Sequence, residues 1–147
     1  NKQTNHEGGI ASPLIAWWPG VVAKPGAISS DLAHITDITA TCLDVAGVEY
    51  PASFGGRKVL PLAGRSLLPE LRGAQRDGHK SLCWATSGNR AVRVGPWKLV
   101  SNKNGPWELY DLATDRTELD DLAQQQPERV RAMAAVFEAW LQNDGTK

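Results

Sequence analysis

Apolar and polar positions change their spacing twice along the chain. Residues 10–18 form a short, nearly continuous apolar run, the pattern of a strand buried on both faces in a parallel or mixed α/β sheet. No second run of this kind occurs. Such a strand needs neighbours on both edges, so its sheet is expected to come from residues outside this chain. A loop follows over 21–30, around Lys24-Pro25-Gly26. Thr36 or Asp37 can cap a helix running to about Ala46, with Gly47 as its C-terminal stop. Ile35, Ile38, Cys42 and Val45 or Ala46 supply its apolar face. Residues 49–57 read as loop, with Pro51 and Gly55-Gly56, and Gly64-Arg65-Ser66 leads into a short turn of helix near 67–71. The stretch 73–78 is polar and irregular.

From Lys80 the period changes. Residues 81–85, 90–94, 97–101 and 107–110 are four short runs separated by Ser87-Gly88, Gly95-Pro96 and Asn102-Lys103-Asn104-Gly105, which are turn signals. Short connections make neighbouring strands antiparallel. Leu82 with Trp84, Val92 with Val94, Trp97 with Leu99 and Trp107 with Leu109 give alternate apolar positions, so the sheet is expected to bury one face and wet the other. A helix beginning at Pro127 then carries Val130, Met133, Ala134, Phe137, Trp140 and Leu141 at i, i+3, i+4, i+7 spacing and ends at Asn143-Asp144-Gly145. Its apolar stripe is expected to pack on the covered face of the sheet. The fold class is α+β: a small four-stranded antiparallel sheet packed by a C-terminal helix, preceded by a strand and helix of something larger. The boundary falls between 1–77 and 78–147.

Composition narrows the function classes. The 147 residues suit one domain or the tail of a larger one. Sixteen basic residues balance sixteen acidic ones, which points away from nucleic acid and from acidic membrane surfaces as partners. Without a basic patch beside them, the six tryptophans read as packing aromatics. No apolar run approaches the roughly 20 residues of a membrane span. The chain shows no signal peptide, does not begin with Met, and reads as part of something longer. Cys42 and Cys83 sit among apolar or small neighbours and are expected to be buried thiols, with a disulfide or an exposed thiol as the alternative.

Candidate chemistry gathers at the start. Lys2 and Glu7 stand five positions apart on a polar loop punctuated by Gly8-Gly9, and loops held by rigid elements collect ligand-contacting groups. His6-Glu7 does not open a zinc helix, because the fourth position beyond His6 is Ile10 and Gly8-Gly9 would break the helix. Cys42 and Cys83 lack metal-ligand spacing. The acidic residues Asp111, Asp115, Glu118, Asp120 and Asp121 lack the alternation and glycine of a calcium loop and read as turn and helix-cap groups. Arg90, Arg93 and Lys98, like Arg57, Lys58 and Arg65, read as a solvated or interdomain face. His34 and His79 have no partner nameable from the sequence. Taken alone, Lys2 is a solvated charge.

A family resemblance changes that last reading. Lys2-x4-Glu7-Gly8-Gly9-Ile10, followed by Pro13-Leu14-Ile15 and Trp18-Pro19-Gly20, resembles a segment of type I (arylsulfatase-like) sulfatases, of the alkaline-phosphatase-like superfamily, near the join of their large and small domains. Asp37-Ile38-x2-Thr41-x-Leu43-Asp44-x-Ala46-Gly47-Val48 resembles the helix that follows there. Leu62-Ala63-Gly64-Arg65-Ser66-Leu67, Asn89-Arg90-Ala91-Val92-Arg93-x-Gly95-x-Trp97-Lys98-Leu99, Glu108-Leu109-Tyr110-Asp111-Leu112 and Asp120-Asp121-Leu122-Ala123 continue in the family's order. Each motif is weak alone; the ordered set covers nearly the whole chain. Ala11 departs from the pattern, where many relatives carry arginine.

The resemblance implies that 1–77 ends a large α/β catalytic domain and that 78–147 is the C-terminal small domain. It implies that Lys2 contacts a sulfate ester and stabilises charge on the leaving oxygen, a sound task for a fixed ammonium. His6 either reaches the substrate or packs, while Glu7 holds the loop and pairs a local cation. The family also implies a formylglycine, made from Cys or Ser in a Cys/Ser-x-Pro/Ala-x-Arg context, and calcium held by upstream residues. Neither Cys42-Leu43-Asp44 nor Cys83-Trp84-Ala85 fits that context. The implied partners are the rest of the sulfatase polypeptide and an organic sulfate ester, and export is common in the family. A phosphonate or phosphodiester hydrolase of the same superfamily is an alternative. So is a non-catalytic docking module, marked by an exposed apolar patch over 10–18.

Overall fold

The computed structural model describes residues 4–143. In chain order its elements are α1 (Glu7–Ile10), α2 (Thr36–Ala46), β1 (Ser53–Phe54), β2 (Arg57–Lys58), α3 (Leu68–Leu71), β3 (Leu82–Thr86), β4 (Asn89–Val94), β5 (Trp97–Ser101), β6 (Glu108–Asp111) and α4 (Pro127–Asn143). Two units divide them. Leu14–His79 forms one, and the described residues of Asn1–Pro13 and Lys80–Lys147 form the other. No described helix is long and apolar enough to cross a membrane.

The second unit is the α+β body expected from the sequence. Its strands pair antiparallel in the order β3-β4-β5-β6. Val92, Leu99 and Leu109 lie in register across β4, β5 and β6. They are buried under Met133 and Phe137 of α4. Trp107 and Trp140 each stand 5.6 Å from the Phe137 ring, centroid to centroid.

The opposite face is not wet. Ala91, Val100, Tyr110 and Leu112 are buried there, with Trp84 packed against them. The alternation therefore carries burial on both faces. On β3 it is Cys83, not Leu82 and Trp84, that borders the α4 side. The segment around Asn5, His6 and Glu7 closes the second face through polar contacts, which hydropathy spacing does not register.

The doubly buried strand expected over 10–18 does not form. Ile10 closes α1, and 11–18 is irregular backbone with Ile15 88% and Trp17 85% exposed. A strand's backbone groups need partners, and among the described residues no strand lies beside this segment. Gly8 and Gly9 do not abolish helix either: a single turn forms, with Gly9 N and Ile10 N donating to His6 O. Residues expected as loop contain the hairpin β1–β2, turning at Gly55-Gly56.

In the Leu14–His79 unit α2 spans the expected residues and ends at Gly47 in the left-handed conformation. Its orientation is reversed. Ile35, Ile38 and Val45 are exposed, and Cys42, expected to be buried, is an exposed thiol; Cys83 is half-buried, and no disulfide joins the two. Asp37 and Ala40 are buried, and Asp37, Thr41 and Asp44, at helical spacing, are the residues bonded to the following segment. Asp37 Oδ1 accepts Arg65 N (2.8 Å), Thr41 Oγ1 accepts Leu67 N (2.9 Å) and Asp44 Oδ2 accepts Ser66 Oγ (2.5 Å). The helix thus packs by hydrogen bonds to 65–67, two to the backbone and one to the Ser66 hydroxyl. The approach is close enough that a Cβ on Gly64 would lie 2.1 Å from Thr36 O, so glycine is required there.

Candidate functional site

The first candidate, Lys2, lies outside the described residues. Its loop is visible from Thr4 onward, and the next candidates, His6 and Glu7, stand on the polar side of the sheet. β5 presents Lys98 to that side, where it is fully buried. This corrects its reading as a solvated cation. A buried ammonium needs charged partners, and Lys98 Nζ has Glu7 Oε1 at 2.7 Å and Glu118 Oε1 at 2.9 Å. Glu118 Oε2 also accepts the Glu7 amide at 2.5 Å. Glu7 is therefore the loop-holding, cation-pairing residue that the sequence suggests.

Glu118 reaches inward from a tight acidic turn. Its φ is +58°, a conformation that non-glycine residues adopt only when held. The holding comes from Asp115, whose carboxylate accepts Leu119 N (2.8 Å) and Asp120 N (2.9 Å). The amide of Asp120 is the largest cause that keeps the Asp115 carboxyl below its ordinary 3.8. Asp111 accepts Ala113 N, and Asp121 accepts Leu109 N and Ala123 N. Turn and cap duty is thus what Asp111, Asp115 and Asp121 perform, while Glu118 is recruited to Lys98.

Beside this triad, Glu108 of β6 gathers two groups on one oxygen. His6 Nε2 lies 2.7 Å from Glu108 Oε2, and the Tyr110 hydroxyl donates to the same atom at 2.9 Å. The rings of His6 and Tyr110 meet edge to face at 6.0 Å. Burial first, then the hydrogen bond and charge of Glu108, hold the Tyr110 phenol well above its ordinary 10.0. Tyr110 therefore stays a donor at neutral pH. The cluster holds fixed charges and a fixed phenol; its chemical capacity is to anchor and orient.

The remaining candidates resolve as structure. Arg90 donates to Ser101 Oγ and Gly105 O and stacks 4.6 Å above Trp107, which corrects its reading as a solvated or interdomain group. Arg93 is bonded to Gly95 O and exposed at that contact. Arg57 and Lys58 are exposed on β2. His79, unassigned from the sequence, lies 2.7 Å from the fully buried Asp37, and the His34 amide donates to the same carboxylate at 3.0 Å. Burial alone would raise the Asp37 carboxyl. The Arg65 and His34 amides with His79 outweigh it and hold it below 3.8. Among the described residues no group of three or more His, Cys, Asp or Glu is placed to hold a metal ion.

Residues 1–142 match the family described as N-sulphoglucosamine sulphohydrolase, C-terminal. The chain belongs to the sulfatases, as their C-terminal portion. The dog N-acetylgalactosamine-6-sulfatase is 35% identical over 97 residues, 66% of this chain and 17% of that protein. The chain thus spans less than a fifth of that relative's length. Among solved structures, one from work on glycosaminoglycan metabolism by Bacteroides thetaiotaomicron superposes with a TM-score of 0.55, at 21% identity, over 70% of this chain and 24% of the other. The phosphonate monoester hydrolase of Agrobacterium radiobacter gives 0.52 at 22% identity, over 73% and 24%. These two likenesses establish a shared fold. Within the sulfatase C-terminal portion, Lys98, Glu118 and Glu108 are the residues that sequence reasoning missed. Lys98 sits inside the quoted Trp97-Lys98-Leu99 motif, between two apolar strand residues, and that placement was the available signal.

Proposed function

We propose that this chain is the C-terminal part of a sulfate-ester hydrolase, arylsulfatase-like, that acts on organic sulfates. The observation that carries the reading is the Lys2–Ile10 loop, which has the sulfatase pattern and is bound from Asn5 to Glu7 on the small sheet. Lys2 contributes an ammonium to the sulfate pocket and offsets charge on the oxygen that leaves sulfur. His6 is the second residue proposed to border the substrate. Its Nε2 is already held by Glu108, which supports a fixed ring. Residues 1–77 close the large α/β catalytic domain and its connection, with 4–13 reaching onto the small sheet, and 78–147 are the small domain. The apolar segment 11–18 gains its strand partners from the rest of the polypeptide.

Calcium and a formylglycine belong to the family's chemistry. The described residues do not fit either group: no metal-ligand cluster is present among them, and Cys42 and Cys83 lack the modification context. Both are assigned to upstream segments, and no step is derived through them. The likeness to N-acetylgalactosamine-6-sulfatase supports a sulfated carbohydrate as the substrate class.

The test is hydrolysis of an aryl sulfate by the complete polypeptide and by the 147-residue chain alone, each with and without calcium, and of an aryl phosphonate monoester in parallel. Turnover of the sulfate by the complete polypeptide and none by the chain alone is expected. Calcium-dependent turnover by the isolated chain would refute the assignment of nucleophile and metal to upstream segments. Preference for the phosphonate would move the protein to the sister activity.

A further inference from the structure

Acidic and basic residues balance over the chain, but not over 50–69. That stretch carries Arg57, Lys58 and Arg65 and no Asp or Glu. Two of these cations stand on the β1–β2 hairpin. Its turn is Gly55-Gly56, with φ of +58° and +76°, the left-handed pair that a tight two-residue hairpin turn demands. The turn sets Phe54 directly opposite Arg57, and Ser53 opposite Lys58. Directly opposed residues share a face of the ribbon. The Phe54 ring and the Arg57 guanidinium therefore leave the hairpin side by side, with Lys58 on the other face.

The hairpin stands open. Every residue over 50–58 is exposed, Phe54 by 79%. Among the described residues neither Arg57 nor Lys58 is paired with a carboxylate. A single exposed phenylalanine is ordinary. Beside two unpaired cations, in a stretch without acid, it completes a surface of definite chemistry. The ring offers an apolar plane to the face of a sugar. The guanidinium and the ammonium offer donors to sulfate oxygens, the guanidinium as a planar fork. We propose that the β1–β2 hairpin is a contact surface for a sulfated polysaccharide, with Phe54 against a sugar face and Arg57 and Lys58 on its sulfates. The inference rests on the sulfate-ester reading above, which supplies the substrate class. Charge complementarity chooses the occupant: an apolar protein cover would take two unpaired cations out of water, whereas a sulfated chain pairs them.

The test is binding of the complete polypeptide to immobilised chondroitin sulfate, with desulfated chondroitin as the matched control. The parent, Phe54→Ala and the double variant Arg57→Gln with Lys58→Gln are compared, and folding is checked by the unfolding midpoint. The parent is expected to prefer the sulfated chain. The double variant is expected to bind it about 2–30-fold more weakly, the range of two exposed ion pairs, and the difference should shrink as salt rises. Phe54→Ala is expected to lose about 2–10-fold, as one aromatic contact does, at low and high salt alike. Equal binding of the parent to both chains overturns the inference, and so does full affinity in the double variant. Full affinity in Phe54→Ala together with equal affinity of the parent for duplex DNA marks a general polyanion surface and overturns it too. A lowered unfolding midpoint or a failure to fold in Phe54→Ala, with the double variant binding as the parent does, shows that the rest of the polypeptide covers the hairpin, which also overturns it. Turnover of 4-nitrophenyl sulfate by the parent separates these results from failure of the sulfate-ester reading: a parent without turnover loses that reading and the inference with it, whereas an active parent whose variants keep full affinity loses the hairpin contact alone.

Discussion

On one face of the sheet Val92, Leu99 and Leu109 meet Met133 and Phe137 of α4; on the other, Lys98 meets Glu7 and Glu118, and Tyr110 meets Glu108 and the ring of His6. Both faces are buried, by different physics. The apolar face gains from area removed from water and is indifferent to direction. The polar face gains little net stability from its ion pairs, because desolvation offsets the attraction. What it gains is position: a buried charge has few places to stand. The two faces therefore divide the work, one stabilising the unit and the other fixing a loop.

The comparison breaks most sharply under single truncations. Phe137→Ala should cost about 3–5 kcal/mol through the cavity it leaves. Lys98→Met should cost a similar 3–5 kcal/mol by stranding two buried carboxylates. Denaturant unfolding measures both. Only the second should be recoverable: adding Glu7→Gln and Glu118→Gln removes the stranded charges and should restore most of the loss. A triple variant as unstable as the single would show that Lys98 contributes packing rather than charge balance.

A smaller effect asks whether the rule of directional burial extends to Asp37. Asp37→Asn should cost about 1–3 kcal/mol at neutral pH, since an amide replaces one acceptor oxygen by a donor. The sign with pH follows from its depressed carboxyl. Its contribution is present above the unfolded value of 3.8 and is lost as pH falls through the lower folded value. Acid titration of stability should therefore be flatter in Asp37→Asn, and an unchanged acid limb would contradict the assignment.

Tyr110→Phe should cost about 0.5–1.5 kcal/mol for one hydrogen bond. The Tyr110 phenol is raised, so its contribution is complete below the ordinary 10.0 and is lost as pH rises through the folded value. The alkaline limb should weaken in the phenylalanine variant. Smallest of all, Met133→Leu conserves volume and should stay under about 1.5 kcal/mol. A larger loss would show that the apolar face is also shape-specific.

The sequence alone was enough for features that depend on neighbours a few residues away. The four strands, their turns, α2 with its Gly47 stop and α4 with its apolar stripe follow from local spacing and turn chemistry. The turn duty of Asp111, Asp115 and Asp121 was legible for the same reason. Tertiary structure decided the rest. The apolar residues of α2 face outward because Asp37 and Thr41 find backbone partners, and Asp44 the Ser66 hydroxyl, more than twenty positions away. Residues 11–18 stay irregular because strand formation needs a neighbour and apolar content cannot supply one. Lys98 reads as a surface charge until Glu7, ninety-one positions earlier, is brought against it. Periodicity reports which side chains prefer to leave water. Whether a charge can leave water depends on a partner, and only the folded chain brings that partner within reach.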